Sequence, residues 1–167
     1  YGPRQVGKTT LLQDFLAKTP LKYKLENGDD INIQRILGSQ DIKQITQYAK
    51  NYELLAIDEA QRIPNIGFGL KILVDHVPNI KIIATGSASF DLSYKIGEPL
   101  VGRSIPKTLY PIAQAELLEE FNEFELQQKL EEFLIYGSYP EIFKYTSPND
   151  KSDYLKRLIG SYLFKDI

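Results

Sequence analysis

Cysteine, methionine and tryptophan are absent from this chain of 167 residues, and histidine occurs once. Without cysteine there is neither a disulfide framework nor a thiolate metal centre. The lone histidine, His76, stands near a helix end before Pro78 and reads as a helix-terminal or surface residue. With no second histidine, a histidine-based metal site and a Ser-His-Asp triad are both unsupported. No apolar run approaches the roughly 18 to 20 residues that span a bilayer, and no charged-then-apolar leader opens the chain. A broad excess of positive charge is missing too: the formal net charge is -2 and the pI about 5.5. That balance does not announce a nucleic-acid partner, though it leaves room for a local basic patch. A soluble, cytoplasmic protein is the expectation.

What is present suits one main domain with a small appendage, since 43% of residues are hydrophobic and 25% charged. The first motif begins at residue 2, where only Tyr1 remains of the strand from which such a loop normally hangs. The chain stops at Asp166-Ile167 inside an amphipathic pattern. A fragment with further chain on both sides is expected.

Leu11, Leu12, Phe15 and Leu16 recur at helical spacing, which predicts a helix over 9–18. A short strand is expected at 21–25, a turn at Asn27-Gly28-Asp29-Asp30, and helices over 31–37 and 41–50. The continuous apolar run at 54–57 has the texture of a central parallel strand covered on both faces. A helix over 67–77 and a strand over 80–84 follow, the latter stopping at Thr85-Gly86-Ser87, with a capping turn before 89–92 as a further reading. One more strand is expected over 105–110. From Ala113 onward the apolar spacing is helical throughout. The fold class predicted is α/β, a P-loop NTPase αβα sandwich with a central parallel sheet over 1–112, followed by a helical lid over 113–167.

The stretch Gly2-Pro3-Arg4-Gln5-Val6-Gly7-Lys8-Thr9 matches G-x-x-x-x-G-K-[ST] in full, and Thr10 continues it into the predicted helix. In such a loop backbone N–H groups point at phosphate oxygens and the helix N-terminus adds partial positive charge. Lys8 would reach the β- and γ-phosphates of ATP, and the Thr9 hydroxyl would ligate Mg²⁺. Near fifty residues on, the apolar strand ends in Asp58-Glu59, and ligands of parallel sheets bind at the carboxyl ends of strands. Asp58 is the candidate to hold Mg²⁺ through water, and Glu59 to polarise the water that attacks the γ-phosphate. A solvated strand end is the plainer reading of the same pair. Ser87 or Thr85 is the candidate sensor of the γ-phosphate. Arg103 is the candidate arginine finger for a neighbouring subunit's nucleotide, with Arg62 as the alternative.

Taken together, GPRQVGKTTLL at 2–12, LLAIDEAQRIPN at 54–65, IIATGSAS at 82–89, LVGRSIPKTLYPI at 100–112 and YGSYPE at 136–141 resemble a widespread prokaryotic group of AAA+ superfamily ATPases with a C-terminal domain of unknown function. The resemblance implies an αβα sandwich with the order-changing AAA+ sheet and a helical lid. It also implies a lid motif of the form Gly-Gly-aromatic-Pro whose proline approaches the adenine. Here that motif is Gly137-Ser138-Tyr139-Pro140, with Ser138 in place of the second glycine. Arg157 is the candidate for a second-sensor arginine. The expected ligands are ATP or ADP with Mg²⁺. The expected partners are further copies of the chain and an unidentified protein or DNA, with no membrane. Three functions fit: an ATPase, a nucleotide-gated switch acting on a protein or DNA, and a kinase for a small acceptor.

Overall fold

The computed structural model describes residues 1–87 and 99–163. The stretch 89–92 that the expected turn would cap and the chain end at Asp166-Ile167 lie outside the described residues. The chain forms two compact units, Tyr1–Leu109 and Tyr110–Ile167.

In the first unit three parallel strands, β1 (Tyr23–Asn27), β2 (Leu54–Asp58) and β3 (Lys81–Ala84), pair in chain order with β2 in the middle. Every residue of β2 is buried. Its uninterrupted apolar run follows from that position, because successive side chains of a strand face opposite sides and both sides here are covered by helices. Leu54 and Ala56 pack with Leu12 and Leu16 of helix α1 (Lys8–Lys18). Leu55 and Ile57 face the other way, into a core built by α2 (Ile31–Leu37), α3 (Ile42–Ala49) and α4 (Ile66–His76). The first two of those helices, α2 and α3, start where the sequence supplies caps. The Asp30 carboxylate accepts from Asn32 N at 2.7 Å, and that of Asp41 accepts from Gln44 N at 3.0 Å. A short 3-10 turn, Ala60–Arg62, links β2 to the α4 segment.

The edge strand β1 is tied to α3 by a polar cluster. Tyr48 donates to the Glu26 carboxylate, while Lys24 Nζ lies 3.1 Å from Glu26 Oε1 and 3.8 Å from the centre of the Tyr48 ring. Burial, and after it the bond to Glu26, pushes the Tyr48 phenol above the ordinary tyrosine value.

Two strand expectations are corrected. β1 begins at Tyr23 rather than residue 21, because the ladder to β2 sets its register from Tyr23 opposite Leu54 to Asn27 opposite Asp58, leaving Leu21 to pack on the α1 side. The strand expected over 105–110 is not formed as a regular element. Its main chain pairs with Tyr1: Tyr1 N donates to Lys107 O and Leu109 N donates to Tyr1 O, both at 2.8 Å. This is the hydrogen-bond alternation of parallel pairing, with a single residue as partner. It is also the out-of-sequence pairing present, since β1, β2 and β3 themselves show no change of order.

The second unit contains α5 (Gln114–Leu117), α6 (Glu123–Gln128), α7 (Leu130–Tyr136), a 3-10 turn (Pro140–Lys144) and α8 (Pro148–Leu163). Ile142, Tyr154 and Leu158 form its core, with Tyr136, Tyr139, Tyr145 and Leu155 packed around them. Lys151 is buried, and its ammonium pairs with Glu132 of α7 as a buried cation requires. Glu132 is held below the ordinary carboxylate value by that bond.

Because Leu55 is fully buried between β2 and the three-helix layer, Leu55→Ala is expected to lower unfolding free energy by about 2–5 kcal/mol, read from the midpoint of urea denaturation.

Candidate functional site

The loop before α1 takes its shape from two left-handed residues, Gln5 at φ 59° and Gly7 at φ 97°. Gly7 is the N-cap, where a side chain would be strained. No side chain caps α1, and no acid stands in its first turn. Its leading N–H groups are therefore left without a side-chain cap and carry the partial positive charge of a helix N-terminus. Val6 is buried beneath the loop, whereas Thr9 and Thr10 are exposed on the first turn. Lys8 folds back over the loop, and its Nζ donates to the carbonyl oxygens of Gly2 at 3.0 Å and Pro3 at 2.6 Å. Burial draws the Lys8 ammonium below the ordinary lysine value; the charges of Glu59 and Asp58 oppose this, and Arg4 adds to it.

Asp58 ends β2 and is buried. Its Oδ2 accepts from the Thr9 hydroxyl at 2.6 Å. Its Oδ1 accepts from the Thr85 hydroxyl, at the end of β3, and from Glu59 N at 3.1 Å. The carboxylate therefore joins α1, β2 and β3 at one point. Glu59 follows in a left-handed conformation, φ 52°, which is costly for a non-glycine residue. The surrounding main chain holds it there. Ala60 N donates to Thr85 O at 2.8 Å, and Gly28 N donates to Asp58 O at 2.7 Å. Gly28 sits so close that a Cβ on it would stand 2.2 Å from Glu59 O. Beyond the backbone, Glu59 Oε2 accepts from Gln61 Nε2 at 2.6 Å and from Ser87 Oγ at 3.4 Å, and Gln61 Nε2 also donates to Ser87 Oγ at 3.2 Å.

The structure thus gathers Thr9, Asp58 and Thr85 in one hydrogen-bonded group and Glu59, Gln61 and Ser87 in the next, with Lys8 within electrostatic reach of both carboxylates. Thr85 and Ser87, undivided by the sequence, separate here: Thr85 serves Asp58 and Ser87 serves Glu59. Arg103 is not in this group. Its guanidinium pairs with Asp75 on the last turn of α4, and Arg62 Nε lies 3.5 Å from Asp29 Oδ1. In the second unit Pro140 opens the 3-10 turn, and Arg157 is exposed on α8. Gly137 and Ser138 line an apolar cavity of about 440 Å³ with Leu126, Leu130, Phe133 and Leu134. Two residues escaped sequence reasoning. Gln61 carried as its signal only a place two residues beyond the acid pair, and Gly28 was legible only as a turn residue.

A parallel sheet with helices on both faces, a glycine-lysine loop opening α1 and helices to follow define a P-loop NTPase-like core. The sequence model of the AAA domain family matches residues 1–118, and the chain belongs to that family of nucleotide-binding, ATPase-type domains. It is 28% identical to the uncharacterized protein MJ1544 of Methanocaldococcus jannaschii over an alignment covering 100% of this chain and 41% of that protein. It is 34% identical to the uncharacterized proteins Mb2031c of Mycobacterium bovis and Rv2008c of Mycobacterium tuberculosis, across 61% of this chain and 22% of each. The chain therefore spans less than half the length of these relatives. No solved structure matches it. Among the described residues no helix is long and apolar enough to cross a membrane.

The contact of Gly28 with the Glu59 peptide predicts that Gly28→Ala destabilises the first unit by about 1–3 kcal/mol, measured by chemical denaturation, through displacement of that peptide.

Proposed function

We propose that the chain binds ATP with Mg²⁺ and hydrolyses it to ADP and phosphate. The observation that supports this reading best is the placing of two consecutive carboxylates, Asp58 and Glu59, at the end of the central strand, with Asp58 2.6 Å from the Thr9 hydroxyl on the first turn of the loop helix. Thr9 and Asp58 would hold Mg²⁺. They offer hard oxygen donors to a cation that retains waters and completes its shell from phosphates. When bound, Mg²⁺ offsets charge on the phosphates.

Residues 2–10 form the phosphate cradle in this reading. Lys8 gives up the Gly2 and Pro3 carbonyls for β- and γ-phosphate oxygens, a charge-assisted exchange. Glu59 accepts a proton from the attacking water as the water oxygen bonds to the γ-phosphorus. The bond from that phosphorus to the bridging oxygen breaks, and its electron pair leaves with ADP. Thr85 keeps Asp58 in place, and Ser87 keeps Glu59 in place. Residues 113–167 serve as a helical lid, and Pro140 is the lid residue assigned to the adenine. Arg103 acts as the finger in a homo-oligomer once it leaves Asp75, and nucleotide turnover drives a conformational change on a protein or DNA partner.

Steady-state turnover measured beside nucleotide affinity by calorimetry tests the reading. Glu59→Gln should keep ATP affinity and lose turnover by about 100-fold or more, whereas Lys8→Ala should lose affinity. Normal hydrolysis by Glu59→Gln would remove Glu59 from its role. Tight ATP binding without turnover in the unsubstituted chain, even with DNA added, would favour the nucleotide-gated switch, and labelled phosphate on a small acceptor would favour the kinase.

A further inference from the structure

We infer that Gln61 is a positioning residue for the Glu59 carboxylate and that it works as a unit with Ser87, a role that rests on the hydrolytic reading above. The geometry is specific. The left-handed turn at Glu59 feeds directly into the 3-10 turn Ala60–Arg62, which carries the Gln61 side chain back to the carboxylate. The Gln61 amide has two N–H groups and spends one on Glu59 Oε2 at 2.6 Å and one on Ser87 Oγ at 3.2 Å. Ser87 in turn donates to the same Oε2 at 3.4 Å. The triangle is closed by residues from two separate places, the turn after β2 and the segment after β3. Those places are themselves fixed to one another by Ala60 N to Thr85 O and Thr85 N to Ile57 O, both at 2.8 Å.

The chemical consequence lies in which oxygen is held. Both side-chain donors land on Oε2, so Oε1 is the oxygen that takes the proton from water. A free glutamate side chain has three rotatable bonds and samples many directions, and ordering it costs rotamer freedom. Gln61 and Ser87 meet that cost before substrate arrives, which is the preorganisation a general base needs. Gln61 touches neither substrate nor the reacting atoms in this scheme. It acts through Glu59, and because Ser87 bonds both to Gln61 and to the same Glu59 oxygen, the two should not act independently.

The test is a set of variants in the full chain: Gln61→Ala, Gln61→Glu, Ser87→Ala, the Gln61→Ala/Ser87→Ala pair, and Gln61→Ala combined with Glu59→Gln. For each, kcat, KM for ATP, calorimetric affinity for ATP and melting temperature are measured. Gln61→Ala should lower kcat by about 10- to 100-fold through misplacement of the base, with KM and affinity within about twofold of the parent. Gln61→Glu, nearly the same shape but setting a second carboxylate against Glu59 in place of the donor, should lose kcat likewise and, with kcat measured across pH, move its acid limb to higher pH, because like charge raises the pKa of the base. The Gln61/Ser87 pair should lose less than the product of the single losses, and Gln61→Ala should cost nothing further once Glu59 is Gln. Losses that multiply, a fall in affinity matching the fall in kcat, or Gln61 variants that turn over like the parent while Glu59→Gln is inactive would each overturn the inference and leave the hydrolytic reading standing. A parent chain without turnover would overturn both.

Discussion

The carboxylate of Asp58 carries the site. It is buried at the end of the middle strand, and each of its oxygens is held by groups from another element: Thr9 from α1 on Oδ2, Thr85 from the end of β3 on Oδ1, with Glu59 N beside it. A buried anion without donors would be expensive. The fold meets that demand with groups that are themselves part of the site. Removing the anion would therefore loosen the first turn of α1 and the end of β3 together, because each uses the carboxylate as its anchor.

Glu59 illustrates a second constraint. Its left-handed backbone is the kind of strain that persists only where the surroundings over-determine it. Here three main-chain approaches do so, from Gly28, from Thr85 and from the 3-10 turn that follows. The strain turns the chain sharply at the strand end, so that Glu59 and Asp58 leave neighbouring positions with different sets of partners. Asp58 binds hydroxyls from α1 and β3, while Glu59 binds an amide and a hydroxyl of its own.

Much of this was legible in the sequence where chemistry is local. Residues 2–9 announce the loop because glycines and a lysine at fixed spacing are what such a backbone needs, and 54–57 announces the middle strand because a doubly covered strand is apolar on both faces. The fold class followed from the alternation of such segments. Other features depended on tertiary pairing. The start of β1 slid two residues because the register is dictated by β2, a partner some thirty residues away. The 105–110 segment has strand-like composition, but among the described residues its main-chain pairing is with Tyr1. Gln61 and Ser87 are 26 residues apart and meet only because β3 lies against β2. Arg103 is a similar case, since no local pattern marks Asp75 as its partner.

That ion pair has an energetic side. The Arg103 guanidinium and the Asp75 carboxylate are both partly open to water, and such surface pairs hold together by at most about 1 kcal/mol, less in salt. An arginine fastened so lightly is stored rather than committed. It can be lent to another anion at almost no expense to the fold around it, and the ionic strength of the solution will set how often it is away.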